Sequence, residues 1–372
     1  MNHLNYTYIW QQPDWTNWRF DLHTLSPLLT EAHYQQGLLL GRMLDLGMLE
    51  REQTNLQFLT ESIVKSSEIE GEILNVQSVR SSLAKRLGIE SGALPPADRH
   101  VEGVVEMLLD AVTSYQDPLN KTRLFGWHAA LFPTGYSGIR KICVGQFRDD
   151  GEGVMQVVSG SYGKEKVHFQ APPAECLETE ITRFLNWINQ EQPLDPFLKA
   201  AIAHLWFLTL HPFEDGNGRI ARVIADMQLA KADSSRQRFY SLSAQIQQHR
   251  SSYYEMLEDT QKGLCDLTAW LSWFLQMIIE AIKSSHKTLD KVLVKNRYWQ
   301  AWRTIELNER QRKVLNRLLD HFEGHLTNQK WASLTKVSRD TALRDINDLV
   351  DKGILQRTEK GGRSVAYVLS AL

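Results

Sequence analysis

Between His211 and Arg222 the chain reads His-Pro-Phe-Glu-Asp-Gly-Asn-Gly-Arg-Ile-Ala-Arg. An imidazole, two carboxylates, an asparagine between glycines and two guanidiniums thus fall within twelve positions. An imidazole titrates near neutrality and suits a proton acceptor. Gly216 and Gly218 permit a tight turn with no Cβ in the way, so successive backbone amides can converge on an anion. Arg219 and Arg222 lie three apart on the helix that follows and share one face. The pattern is a phosphate cradle with a histidine on its rim. Taken singly, a histidine before a turn is commonly a cap or a core residue, and Asp-Gly or Asn-Gly marks an ordinary turn. The joint pattern H-x-F-x-D-G-N-G-R-x-x-R is what carries chemical meaning.

Two helices must present this segment. Residues 196–210 (Pro-Phe-Leu-Lys-Ala-Ala-Ile-Ala-His-Leu-Trp-Phe-Leu-Thr-Leu) read as a buried apolar helix stopped by Pro212, which lacks the amide a helix interior needs. A second helix is predicted over 218–230, and its unpaired amino-terminal amides add positive potential at the turn.

The segment resembles the signature of the Fic family, and several roles follow from that resemblance. Fic enzymes commonly transfer AMP from ATP to a hydroxyl of a protein. The resemblance makes His211 the general base and Asp215 the Mg²⁺ ligand, as a hard cation favours carboxylate oxygen. Asn217 and the amides around Gly216 and Gly218 would orient the α- and β-phosphates. Arg219 would meet the β-phosphate and Arg222 the γ-phosphate, a task suited to guanidinium forks. Phe213 is read as a packing anchor, and Glu214 receives no role.

The 372 residues leave room for two or three domains. A net charge of −2 excludes a generally basic nucleic-acid coat while leaving room for a local patch. Cys143, Cys176 and Cys265 are widely spaced and form no metal-type cluster, which points to reduced thiols in a cytosolic protein. The amino terminus has no charged-then-apolar signal pattern and no run approaches a membrane span, so a cytoplasmic protein is expected.

The fold class expected is mainly α: an amino-terminal helical region (1–96), a Fic helical domain (97–284), a connector (285–305) that reads as helical over about 289–303, and a winged helix (306–372). The aromatic stretch 8–20, with three tryptophans, reads as packing. Helical periodicity marks 26–49, 52–67 and 75–87, and Pro95-Pro96 mark a loop. In the central region helices are predicted over 101–115, 121–131, 174–190, 196–210, 218–230, 243–262 and 266–284. Residues 145–171 alternate and are rich in Gly and Val, predicting a β-hairpin over 154–170 with its turn at 160–163. In the family a hairpin here, the flap, docks the target protein by strand addition. Gly145-Gln-Phe-Arg148 matches the family's G-x-x-R lead-in, and Pro172-Pro173 end the hairpin. The stretch 250–257 resembles the helix that flanks the nucleotide base, which would put Tyr253 or Tyr254 near adenine. An aromatic at helical spacing is otherwise core.

Ser66-Ser-Glu-Ile-Glu70-Gly71 matches the S-x-x-x-E-G motif of the Fic inhibitory helix. Alone it is a weak motif; its weight comes from lying amino-terminal to an intact Fic loop. Glu70 would pair with Arg222 in place of the γ-phosphate, and Ser66 would help hold the helix. Otherwise Glu70 is an exposed residue at a helix end. Homodimerisation is a further family expectation.

Beyond residue 306, an amphipathic helix over 308–322, a short helix over 327–333, a helix over 338–352 and a strand–turn–strand over 354–369 look like a winged helix. Arg339, Thr341 and Arg344 would face a DNA major groove, and Arg363, in a wing tip over 360–363, a phosphate. Asp340, Asp345, Asp348 and Asp351 on the same helix oppose this, leaving dimerisation or protein docking as equal readings. Rival functions are a nucleotide-sensing DNA-binding regulator with vestigial catalysis, a Fic enzyme using another nucleotide donor, and removal of AMP. The sequence has no G-x-x-x-x-G-K-[ST] loop and no H-E-x-x-H pair.

Overall fold

Polar caps set several of the helix starts among the described residues. In the computed structural model, which describes residues 6–89, 98–151, 153–160, 164, 166–322, 324–358 and 365–371, α1 (Leu22–Leu44) begins where Asp21 accepts the His23 amide. The next helix, α2 (Met48–Ile69), buries Phe58, Leu59, Ile63 and Ile69. It ends in a Schellman arrangement: Gly71, at φ +83°, donates its N–H to the Glu68 carbonyl, and the Glu72 N–H bonds the Ser67 carbonyl, each at 3.0 Å. Only glycine takes that conformation without a Cβ penalty, so Gly71 is what turns the chain off α2. Asn75, Asp98 and Asn120 cap α3 (Val76–Leu87), α4 (Arg99–Thr113) and α5 (Lys121–Leu131).

A small hairpin, β1 (Tyr136–Ser137) with β2 (Arg140–Lys141), precedes a second one, β3 (Gln156–Ser159) with β4 (Lys166–Gln170). The second matches the predicted hairpin, with a bulge between Val157 and Val158. Its turn (161–163 and 165) lies outside the described residues, as do Pro95, Pro96 and the wing-tip residues 360–363. Helices α6 (Ala174–Asn189), α7 (Pro196–Leu210) and α8 (Asn217–Ala232) follow. Pro196 starts α7 at a position where its missing N–H costs nothing. Every α7 residue from Phe197 to Leu210 is buried, as its apolar run predicts.

The single helix predicted over 243–262 is two, α9 (Leu242–Gln248) and α10 (Arg250–Gln261), because His249 leaves helical geometry at φ −107°, ψ 30°. The break lets the Arg250 Nε reach the Ile69 carbonyl at 2.8 Å. The helix predicted to stop at Ser284 continues, as α11 (Thr268–Ala301). Nothing in Lys-Ser-Ser-His (283–286) breaks a helix, since neither Pro nor Gly occurs there.

Contacts divide the chain into two units, Met1–Ser285 and His286–Leu372. No division falls at 96/97, because the amino-terminal helices pack on the central ones: Gln36 donates to Asp233 at 2.6 Å, and Ser62 meets Ser241 at 2.9 Å. The second unit contains α12 (Glu309–His321), β5 (Leu326–Thr327), α13 (Asn328–Thr335), α14 (Arg339–Asp351), β6 (Leu355–Arg357) and β7 (Ala366–Leu369). Its sheet runs β5-β7-β6, over a core that includes Val314, Trp331, Ile346 and Leu349. Asp345 is buried against Arg310 and Asn308, and Asp348 pairs with Lys352. Two of the four acids on α14 are therefore neutralised within the unit.

Candidate active site

His211 caps α7 in the left-handed region, at φ 47° and ψ 56°. A residue with a side chain holds that conformation only where its surroundings enforce it. Arg148, whose side chain is 1% exposed, does so. Its Nε donates to the His211 carbonyl at 2.8 Å, its Nη2 to the Pro172 carbonyl at 2.6 Å, and its backbone N–H to the Pro212 carbonyl at 2.9 Å. One guanidinium thus ties the histidine to the end of the β3–β4 hairpin. The His211 Nδ1 lies 3.3 Å from the Leu208 carbonyl. A carbonyl can only accept, so Nδ1 carries the proton and Nε2 keeps its lone pair. Burial, aided by Arg148, lowers the His211 pKa to about 4 against the Leu208 carbonyl and the Glu70 and Asp215 carboxylates. The ring is neutral at physiological pH and able to take a proton.

The loop beyond His211 is fixed from below and within. Phe213 is fully buried and stacks on His128 at 4.2 Å, with Phe125, Phe147 and Phe207 around it. His128 accepts the Gly145 amide on Nδ1, and burial lowers its pKa to about 4. The Asn217 side chain closes the turn on itself, accepting from the Phe213 N–H (3.0 Å) and donating to the Phe213 carbonyl (2.7 Å). Its contribution is to shape the loop. Gly216 sits at φ +81°, and a Cβ there would lie 2.9 Å from the Phe132 ring.

Asp215 accepts from the Gly216 amide and from the Ser137 hydroxyl of β1. It lines an open groove of about 520 Å³ together with Glu70, Glu72, His100, Tyr136 and Arg219. Among the described residues no three His, Cys, Asp or Glu side chains stand together as a metal cage. A carboxylate on an open groove fits Mg²⁺, which takes one or two protein carboxylates and its other oxygens from substrate phosphates and water.

Both arginines are buried and face carboxylates. Arg222 donates through Nε to the Ser66 hydroxyl (2.9 Å), and through Nη2 to the Ser66 carbonyl (3.0 Å) and Glu70 Oε1 (2.6 Å). Its Nη1 has no hydrogen-bond partner among the described residues, and neither has the Arg219 Nε. A Cβ built on Gly218 would lie 2.1 Å from Glu70 Oε1 and 3.2 Å from Arg222 Nη1. The Glu70 carboxylate therefore occupies the amino terminus of α8, where unpaired amides and the helix dipole favour an anion. Gly71 positions it by ending α2.

Of the two candidate adenine contacts, Tyr253 is 1% exposed and its hydroxyl meets His204 Nε2 at 2.8 Å, so it serves the core. Tyr254 is 38% exposed, stacks under Arg250 and points its hydroxyl toward the Ile69 carbonyl at 3.4 Å. The hairpin is tied to α10 by His168, which meets Ser159 through Nε2 and Glu258 through Nδ1, each at 2.6 Å. Sequence reasoning missed His128, Glu72, His100 and Ser137. Each lies far along the chain from the loop, and no local pattern marks such partners.

A turn between two helices thus carries a neutral imidazole at its rim and two buried arginines behind it. Residues 118–229 of the chain match the Fic/DOC family, and residues 8–89 match a domain of unknown function (DUF4172). It is 27% identical over 271 residues to "Protein adenylyltransferase Fic" of Culex quinquefasciatus, covering 71% of this chain and 45% of that protein. The corresponding protein of Aedes aegypti is 26% identical over 253 residues, with 67% and 43% covered. The chain thus spans under half the length of these relatives. Among solved structures, a Fic family protein from Desulfovibrio desulfuricans G20 superimposes with a TM-score of 0.52 at 18% identity, covering 93% of this chain and 97% of that one. A Fic domain containing signaling protein from Bacteroides thetaiotaomicron VPI-5482 gives 0.51 at 19% identity, covering 71% and 97%. These likenesses show the shared fold. No helix among the described residues is long and apolar enough to cross a membrane.

Proposed function

We propose that the chain is an autoinhibited protein adenylyltransferase that moves AMP from ATP to a hydroxyl side chain of a target protein, and to itself. The observation that carries this reading is the Glu70 carboxylate seated on Arg222 at the α8 amino terminus, beside a neutral His211. A carboxylate there imitates a phosphate, so the seat is built for one. The names of the relatives point to the same chemistry.

In the transfer, the target hydroxyl oxygen forms a bond to the α-phosphorus while the bond from that phosphorus to the bridging oxygen breaks. Pyrophosphate leaves, and the hydroxyl proton passes to His211 Nε2. The amides around Gly218 hold phosphate oxygens, Arg219 the β-phosphate and Arg222 the γ-phosphate. Asp215 would hold Mg²⁺, which offsets phosphate charge. Tyr254 borders the base, and the target strand docks at the 154–170 hairpin. Glu70 blocks the γ-phosphate position, so ATP binds with its α-phosphate misaligned, a displacement that can cost about a hundredfold in rate.

The test is incubation with each α-labelled nucleoside triphosphate, Mg²⁺ and a cell lysate. Glu70→Gly is expected to raise AMP incorporation about a hundredfold over the unaltered chain, and His211→Ala in that background to abolish it while nucleotide binding persists. Equal labelling by Glu70→Gly and the unaltered chain removes the autoinhibition. Labelling from another nucleotide alone changes the donor.

A further inference from the structure

Resting on the reading above, we propose that Glu72, held by His100, is a positioning residue that fixes the Arg219 guanidinium for the departing pyrophosphate. Glu72 Oε2 accepts from Arg219 Nη1 at 2.9 Å, and Glu72 Oε1 lies 2.5 Å from His100 Nε2. The His100 Nδ1 is in turn 3.1 Å from the Leu131 carbonyl. The Phe132 ring covers one face of the guanidinium, with the Arg219 Cζ 5.1 Å from its centroid. The guanidinium plane is thereby fixed at its edge by a carboxylate and at its face by a ring. Glu72 owes its own place to the Gly71 turn, which bonds its N–H to the Ser67 carbonyl.

Two carboxylates of one short segment thus meet the two arginines of the loop, and the geometry separates their roles. Glu70 sits on the α8 amino terminus, 2.1 Å from where a Gly218 Cβ would be, in the anion seat itself. Arg222 has spent Nε and Nη2 on Ser66 and Glu70. Glu72 lies on the groove side, touching one nitrogen of Arg219 and leaving its buried Nε without a partner among the described residues. A buried donor left open costs about 1–3 kcal/mol, and a phosphate oxygen would satisfy it. Glu70 fills the site, whereas Glu72 aligns one of its walls.

The roles predict opposite effects of removing each carboxylate. In the Glu70→Gly background, Glu72→Gln is expected to weaken magnesium pyrophosphate binding about tenfold, read by titration calorimetry. That is the scale on which supporting partners act through the groups they orient. The same change should lower kcat for AMP transfer about tenfold with little change in KM for the target. Glu72→Asp should recover part of both losses, and His100→Ala should shift both in the same direction as Glu72→Gln. Unchanged pyrophosphate affinity in Glu72→Gln overturns the inference. So does tighter binding or faster transfer, which would make Glu72 a second plug. Should Glu72→Gln fail to fold, as read by its melting curve, Glu72→Asp and His100→Ala decide the matter by the same two measurements. Pyrophosphate binding needs no turnover, so absence of labelling by Glu70→Gly counts against the transferase reading alone.

Discussion

At the scale of single residues, the site depends on an imidazole kept neutral and a glycine kept bare. Burial lowers the His211 pKa to about 4, and the Glu70 carboxylate is one of the groups that raise it. Removing that carboxylate shifts the value further down. The base form is therefore present from pH 8 to well below the ordinary imidazole value of about 6.5. In Glu70→Gly, kcat/KM should stay level between pH 8 and 6 and fall only at lower pH; an acid limb near 6.5 would show that the histidine is solvated during the reaction. Gly218 has the complementary constraint, since a methyl there meets the Glu70 carboxylate and, on the proposed reading, would meet the phosphate that replaces it. Gly218→Ala in the Glu70→Gly protein should cut AMP transfer about a hundredfold, measured by labelled incorporation. A fall of less than threefold would place the phosphates elsewhere. The loop was legible in the sequence because its chemistry is contiguous. The partners of Arg219 were not, because Glu72 lies 147 positions away and a glutamate three residues past a helix end carries no signal.

At the scale of elements, the end of α2 is the decisive feature. Gly71 at φ +83° allows the turn that places Glu70 on one arginine and Glu72 on the other. An alanine in that conformation costs about 1–2 kcal/mol. Gly71→Ala should lower the melting temperature by a few degrees and release the inhibition in part, giving AMP transfer above the unaltered chain and below Glu70→Gly. Transfer no different from the unaltered chain would mean that the turn is held by other contacts. α5 and α7 were read from the sequence without error, whereas the first two helices, read over 26–49 and 52–67, each start four residues earlier, as Leu22–Leu44 and Met48–Ile69. Where tertiary contacts choose, reading failed. The break at His249 has no glycine or proline to announce it, and it serves a hydrogen bond to Ile69 from the far end of the unit.

At the scale of the whole molecule, two units share one chain, and the second bears on partners. With Asp345 and Asp348 engaged within the unit, α14 exposes Arg339 and Arg344 alongside Leu343. That surface makes duplex DNA the ligand to try first. Binding should fall steeply with salt and be lost in Arg339→Glu/Arg344→Glu, measured by fluorescence anisotropy. Salt-independent or absent binding by the unaltered chain would assign the unit to protein docking. The order helix–strand–helix–helix–strand–strand was legible from amphipathic spacing, apart from the two-residue β5. The inward turn of Asp345 was not, because its partners Asn308 and Arg310 lie on another helix. On the proposed reading, the geometry of residues 66 to 72 also limits how inhibition could be relieved. A regulator that peeled this stretch away whole would free Arg222 and cast Arg219 adrift together, exchanging a silent enzyme for a slow one. Full speed requires something gentler: a swing of one side chain at position 70, with the backbone beneath it left where it is.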